Sequence, residues 1–361
     1  MIDDAHELMN AARYLPHGPT RIAAYERAIA AADADHDVDA GFRAREQHLQ
    51  ACAFGGAADR GIVSFAWCLA RHDEEPDRFN NMLWQYKWIT VALPEFASVS
   101  RAQIAESIDD MQRRYEQTAK SPVPVAKVRW RVALTMGELE LAETWRLEWL
   151  RLDHMSGRQA MTDCPACDAA EHANMMALTG RDAEALKLAE PILEGHRRCA
   201  EVPHFTLGEM LGPLVRSGRT DEAADTSRRG YEMVRRNPEF LSVIALHVDF
   251  RRLHHDPTEA MEMAVRHWGW LETVRSDARA AAFLLAATRA IRAHLAKPRV
   301  RDRRKLRLPV AVGIDRDASG AVSLTELAGW SDGEQLRISR ALDERNGNSY
   351  YVDLRTVDRG A

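Results

Sequence analysis

"ALTGRDAEALKLAEPIL", residues 177–193, and "LVRSGRTDEAADTSRRGY", residues 214–231, are two versions of one pattern. Each runs from an apolar residue through a small turn holding a glycine to an acidic residue, and then to Glu-Ala at the head of a second apolar stripe. In the first, Ala185, Leu188, Ala189, Ile192 and Leu193 recur at the i, i+3, i+4, i+7 and i+8 positions of one helical face. Leu207, Met210, Leu211, Leu214 and Val215 repeat the spacing, as do Ala260, Met263, Ala264, His267, Trp268 and Leu271. The spacing predicts helices with one buried stripe each, joined in pairs by tight turns. Their starts are marked too. Ser100 with Gln103 and Thr206 with Glu209 read as capping boxes, and Asp256, Pro257 and Glu259 read as a cap, a first-turn proline and an N3 carboxylate. No comparable alternating strand pattern precedes residue 305.

Working outward, "ALTMGELELAETWRLEWL" (133–150) and "RLHHDPTEAMEMAVRHW" (252–268) are looser copies. The turn glycines Gly137, Gly180 and Gly218 are 43 and 38 residues apart, and Gly56 lies 81 before Gly137. A repeat near 40 residues predicts stacked helical hairpins, in which each pair buries its apolar face against its neighbours. The predicted fold class is therefore all-α. The predicted organisation is a helical repeat array over 1–296, a basic linker over 297–312 and a short C-terminal segment over 313–361, made of a turn and a helix.

These residues resemble the tetratricopeptide repeat family, in which the first helix of a hairpin ends in a glycine-containing turn and the second opens with an acidic residue, Glu and Ala. The match is best over roughly 125–272, and the period exceeds the family's 34 residues. With "DCPACD" (163–168) and "DERNGN" (343–348), the layout is similar to a group of long-repeat tetratricopeptide proteins of unassigned activity. The resemblance implies a right-handed α-α superhelix whose concave groove takes a peptide, a helix or a partner domain. It does not imply catalysis.

Cys164 and Cys167 fall at the first turn of the helix that opens the hairpin around Gly180. The antiparallel partner helix, predicted over about 182–197, returns Cys199 to the same end, and the next predicted helix starts there with His204 just before it. A Cys3His set, Cys164, Cys167, Cys199 and His204, suits tetrahedral zinc. Asp168, His172 or His196 could stand in place of His204. The competing reading is three small core residues, since cysteine packs as a small hydrophobe. A thioredoxin-like redox pair would belong beside a βαβ pattern that the sequence lacks. Four protein ligands would make a closed, structural site.

A second string, "DRDASGAVSLTE" (315–326), fits a calcium loop, with Asp315, Asp317, Ser319, the Ala321 carbonyl and Glu326 as oxygen ligands and Gly320 at the turn. Its context argues for a polar turn instead. The preceding "LRLPVAVGI" is β-like and interrupted by Pro309, where an entering helix is required. "KPRVRDRRKLR" (297–307) reads as a solvated linker, with an acidic partner or phosphate as the alternative. The aromatics Phe65, Trp67, Trp84, Tyr86, Trp88, Trp268 and Trp270 read as hairpin packing.

Composition narrows the function classes. The 361 residues are 46% hydrophobic and 29% charged with a net charge of −5, which gives no general drive toward nucleic acid or an anionic membrane. The acidic start and the absence of a long apolar run predict a cytoplasmic chain, and five cysteines in such a chain are expected as thiols. No Walker A loop, GxSxG elbow, HExxH or strand-linked GxGxxG is present in the sequence. The expectation is a non-catalytic scaffold or regulator that binds a protein or peptide, with one structural zinc. Two alternatives stand beside it: an enzyme or enzyme subunit with its site at the Cys/His edge, and a sensor of peptides or small molecules.

Overall fold

The computed structural model describes residues 4–118, 120–157, 160–199, 201–298, 305–307, 314 and 321–357. Contacts divide the chain into two units. The first comprises Met1–Thr162 with Asn237–Glu239 and Thr273–Ser276, and the second comprises Asp163–Arg236, Phe240–Glu272 and Asp277–Ala361. Both are helical. None of the described helices is long and apolar enough to cross a membrane.

The first unit contains α1 (Ala5–Ala12), α2 (Pro19–Ala34), α3 (Val38–Ala53), α4 (Ala58–Glu74), α5 (Leu83–Ala92), α6 (Arg101–Gln117), α7 (Val123–Thr135) and α8 (Leu139–Ser156). The second contains α9 (Pro165–Leu178), α10 (Asp182–Leu193), α11 (His204–Glu209), α12 (Leu211–Arg216), α13 (Thr220–Val234), α14 (Leu241–His254), α15 (Pro257–His267) and α16 (Asp277–Leu295). Two short antiparallel strands follow, β1 (Lys305–Leu306) and β2 (Val322–Ser323), then α17 (Leu324–Asn346) and α18 (Tyr350–Asp353).

One turn recurs through the chain. After α3, α7, α9 and α12, the glycines Gly56, Gly137, Gly180 and Gly218 take φ of 78°, 75°, 75° and 76°. The amide that follows each glycine bonds the carbonyl five residues earlier: Ala57 to Cys52 at 3.1 Å, Glu138 to Ala133 at 2.9 Å, Arg181 to Met176 at 2.8 Å and Arg219 to Leu214 at 2.8 Å. This is the Schellman ending, which satisfies orphan carbonyls of the last turn and needs a left-handed residue that glycine adopts without strain. The next helix starts two residues after the glycine in every case, so the equivalence read from the sequence holds at the level of single hydrogen bonds. Between α2 and α3 the left-handed place is taken by His36, with φ of 55° and the same bond from Asp37 to Ala32 at 2.9 Å. At the corresponding place in the looser copy over 252–268, α14 ends at His254, His255 has φ of −134°, and Asp256 caps α15.

Helix starts separate the strings that cap from those that do not. Ser100 and Gln103 form both bonds of the predicted box, and so do Ser323 and Glu326 at the start of α17. Thr206 and Glu209 do not. Helix α11 begins at His204, and Leu207 already donates to the Pro203 carbonyl at 3.0 Å, so Thr206 lies inside the helix with a buried hydroxyl.

Small residues set the packing of the first three helices, where Ala12, Ala24, Ala28, Ala44 and Ala51 surround Ile22 and Tyr25. Larger side chains fill the rest of that unit, among them Leu49, Phe65, Met82, Ile104, Met111 and Tyr115. In the second unit α16 packs on α14, α15 and α17, burying Phe283, Leu284 and Ile291. The C-terminal segment is part of this unit. Buried Asp343 accepts from the amides of Tyr351 and Val352 at 2.8 and 2.9 Å, and Arg289 donates to the carbonyls of Leu354, Arg355 and Val357 at 3.2, 2.9 and 2.9 Å.

Buried histidines make stability depend on acid. His247, on α14, has its Nδ1 3.1 Å from Ser227 Oγ, and burial, with Arg251 adding, pushes its pKa down to about 3. His267 is held at about 4 by burial and then Arg266 and Arg235. An unfolded histidine takes a proton near pH 6.5. These two resist it until far lower pH, so their contribution is complete above about 6.5 and is lost as pH falls from there toward 3. The denaturant midpoint is expected to fall between pH 7 and pH 5, and His247→Gln should flatten that slope. An unchanged slope in the variant would remove His247 from the account.

Candidate metal centre

The first turn of α9 is shaped by Pro165, whose fixed φ suits the first helical position. Cys164 therefore occupies the N-cap with extended backbone, φ −73° and ψ 157°, and its sulfur accepts from the Cys167 amide at 3.4 Å. Helix α10 runs back along α9 and ends at Leu193, earlier than the predicted 197, because Gly195 turns left-handed at φ of 80°. The loop beyond closes through the Cys199 amide on the Val202 carbonyl at 2.9 Å. This returns Cys199 to the head of α9.

The three sulfurs meet there. Cys164 Sγ lies 3.5 Å from Cys167 Sγ, and Cys167 Sγ lies 3.1 Å from Cys199 Sγ. All three sit within 4.8 Å of one another, against a small apolar cluster of Ala166, Ala169, Ala170, Ile192 and Val202. They are half-buried, unlike Cys52 and Cys68, which are wholly enclosed in the first unit. The donor set fits zinc. Sulfurs bound at ~2.3 Å in tetrahedral geometry stand about 3.8 Å apart, a small expansion from the separations seen.

The electrostatics of the thiols point the same way. Burial opposes ionisation of Cys164, but the Cys167 amide and thiol, the Ala166 amide and Cys199 outweigh it and hold this pKa below the ordinary thiol value. Cys167 is pushed far up, first by burial and then by its two sulfur neighbours. One thiolate suppresses the next, and a bound cation would reverse that order by taking all three as thiolates and releasing their protons.

His204 stands elsewhere. Its ring stacks on Phe240 with centroids 5.1 Å apart and planes at 7°, its Nδ1 is buried without a hydrogen-bond partner, and burial lowers its pKa. Among the described residues the group with converging ligand atoms is Cys164, Cys167 and Cys199; His204, Asp168 and His172 do not join it. His196 is exposed beside Glu194 at 3.2 Å.

The calcium string is only partly in view. Asp315, Asp317, Ser319 and Gly320 lie outside the described residues. Ala321 is buried, and the Glu326 carboxylate accepts from the Ser323 amide at 2.9 Å and its hydroxyl at 2.7 Å, which commits that carboxylate to the cap of α17. Of the basic stretch, Lys297 pairs with Asp256 at 2.7 Å, an interaction that lowers the Asp256 pKa to about 2.

Sequence reading missed a buried polar group in the first unit. His48 Nδ1 lies 2.8 Å from Ser64 Oγ, and its Nε2 lies 3.3 Å from Cys52 Sγ and 3.5 Å from Glu26 Oε1. The arrangement has the outline of a nucleophile, base and acid. It lacks access, for Ser64 and Cys52 are 4% and 0% exposed, and burial pushes the Cys52 thiol up to about 12. Hydrogen bonding within the core accounts for it. The available signal was His48 and Cys52 at i, i+4.

No family model matches this chain, and no curated protein shows significant similarity to it.

Proposed function

We propose that the chain is a non-catalytic helical-repeat scaffold that holds a protein or peptide partner along a tetratricopeptide-like superhelix, with one structural zinc on Cys164, Cys167 and Cys199. The observation that carries this reading is the recurring hairpin turn at Gly56, Gly137, Gly180 and Gly218, because repetition of one hairpin is how a chain builds an extended binding face without a catalytic cleft. The zinc part rests on the sulfur separations of 3.5 and 3.1 Å. Zinc would supply a cross-link between the head of α9 and the loop before α11, and the three cysteines would be its protein ligands.

The test is reconstitution. A partner recovered with the full chain should bind the purified chain at fixed stoichiometry by calorimetry. Failure of every recovered candidate to bind in purified form, together with turnover of a small substrate, would overturn the scaffold reading.

A second reading is favoured by the ligand count. Three cysteines converge among the described residues, and tetrahedral zinc takes a fourth ligand. An exchangeable fourth position would revive an enzyme or enzyme subunit. X-ray absorption at the zinc edge separates the two, since three sulfurs with one light, displaceable ligand supports the second reading and four protein ligands supports the first.

A further inference from the structure

The structure assigns a ligand site to the cleft between α1, α2 and α3: we propose that it binds a small polyanion carrying two or more phosphate or carboxylate groups. The cleft has a volume of about 640 Å³ and lies wholly within the first unit. That size suits a small molecule. Helical spacing aims one row of side chains into it from each wall. Asn10 and Arg13 come from the end of α1, Arg21 with Tyr25 from the first turns of α2, and Arg43, Gln47 and Gln50 from one face of α3.

Its charge is only weakly compensated, since the Asp39 carboxylate feels Arg43 electrostatically without forming an ion pair with it. Three guanidiniums line the cleft, no carboxylate does, and among the described residues Arg13, Arg21 and Arg43 pair with none. This departs from the habit of the unit. Arg45 holds Asp33 at 2.7 Å, Arg71 holds Glu74 at 2.6 Å and Arg114 holds Asp73 at 2.6 Å. Even Asp39, one turn before Arg43, is held by Arg78 at 2.7 Å. A local charge of three positives on a chain of net charge −5 concentrates potential in a concave wall.

One donor also lacks an acceptor. Arg21 Nε is buried without a partner, while one terminal nitrogen reaches the Leu15 carbonyl at 3.4 Å. A buried donor left unmatched is costly, and an arriving oxyanion relieves it. Guanidinium forks match carboxylate and phosphate oxygens in pairs, and the carboxamides of Asn10, Gln47 and Gln50 offer donors and acceptors to the body of the ligand. The proposal is independent of both the metal centre and the scaffold reading.

The test is calorimetry on the full chain at low salt, with pyrophosphate and citrate as separate probes. One probe bound per chain with Kd below ~1 mM is expected. Arg21→Gln and Arg43→Gln should each weaken binding by about tenfold or more, and Arg27→Gln, an exposed α2 arginine outside the cleft, by less than about twofold. Arg43 is exposed, so its variant keeps the test open if the Arg21 variant fails to fold. Binding of pyrophosphate alone assigns a phosphate ligand, and binding of citrate alone a carboxylate one. No binding of either, or an equal loss in Arg27→Gln, overturns the proposal.

Discussion

If the three cysteines hold zinc as proposed, Cys167→Ser is expected to abolish its binding and to lower stability by about 4 kcal/mol when free zinc stands near 1,000 times its Kd, the stabilisation that mass action gives a ligand bound only to the folded state. Cys167 is the sulfur that touches both others, at 3.5 and 3.1 Å, so its replacement removes the middle member of the set. The loss should be local. Hairpins couple mainly to their neighbours, so amide exchange should quicken around 164–204 and stay unchanged in the first unit. Chelator should bring the parent protein down to the variant. Lowering pH should weaken zinc binding, because the suppressed Cys167 proton must leave before the metal enters. A parent protein without zinc, indifferent to chelator and as stable as Cys167→Ser, would end the metal reading and leave three thiols in a loop.

Trp130→Ala should cost about 3–5 kcal/mol, the range for deleting a buried aromatic. Trp130 is fully buried on α7 and packs against Trp149 of α8 with ring centroids 5.3 Å apart at 31°. Helix α8 packs on α7 and buries Ala142, Arg146 and Trp149, while Leu141, Leu147 and Met155 remain exposed. The indole therefore anchors a helix with few other buried side chains. Faster amide exchange across 139–156 should accompany the fall in urea midpoint. Leu147→Ala, which removes an exposed side chain, should stay within about 0.5 kcal/mol. A loss below about 1 kcal/mol for Trp130→Ala would show that α8 is anchored elsewhere.

What was legible in the sequence was whatever a few adjacent residues decide. The hairpin turns were readable because one glycine in a left-handed conformation and one acidic helix start fix each of them. The three cysteines were readable through those turns, since a hairpin of known length returns its end to its beginning. Thr206 and Glu209 misled because the same string occurs inside helices, and only the neighbouring Pro203 and His204 show that α11 starts earlier. Chain position alone puts His204 beside the thiols, yet a helix start also sets which way a side chain faces, and here it faces Phe240. The cleft of three arginines was not readable at all, for it needs the rotational setting of α1, α2 and α3 together.

The bond that closes the turn recurring after α3, α7, α9 and α12 runs between backbone groups of the turn itself, and side chains from elsewhere only add to it, as Asn237 does at the Phe54 carbonyl (2.9 Å) and Arg101 at Glu138 (2.5 Å). A hairpin so defined is transferable. Recombination that cuts between hairpins would carry a complete set of folding instructions with each piece, and a change in length between pieces would leave every turn intact. His36 shows that the turn does not require glycine: a histidine takes the left-handed place there, and the closing bond is the same.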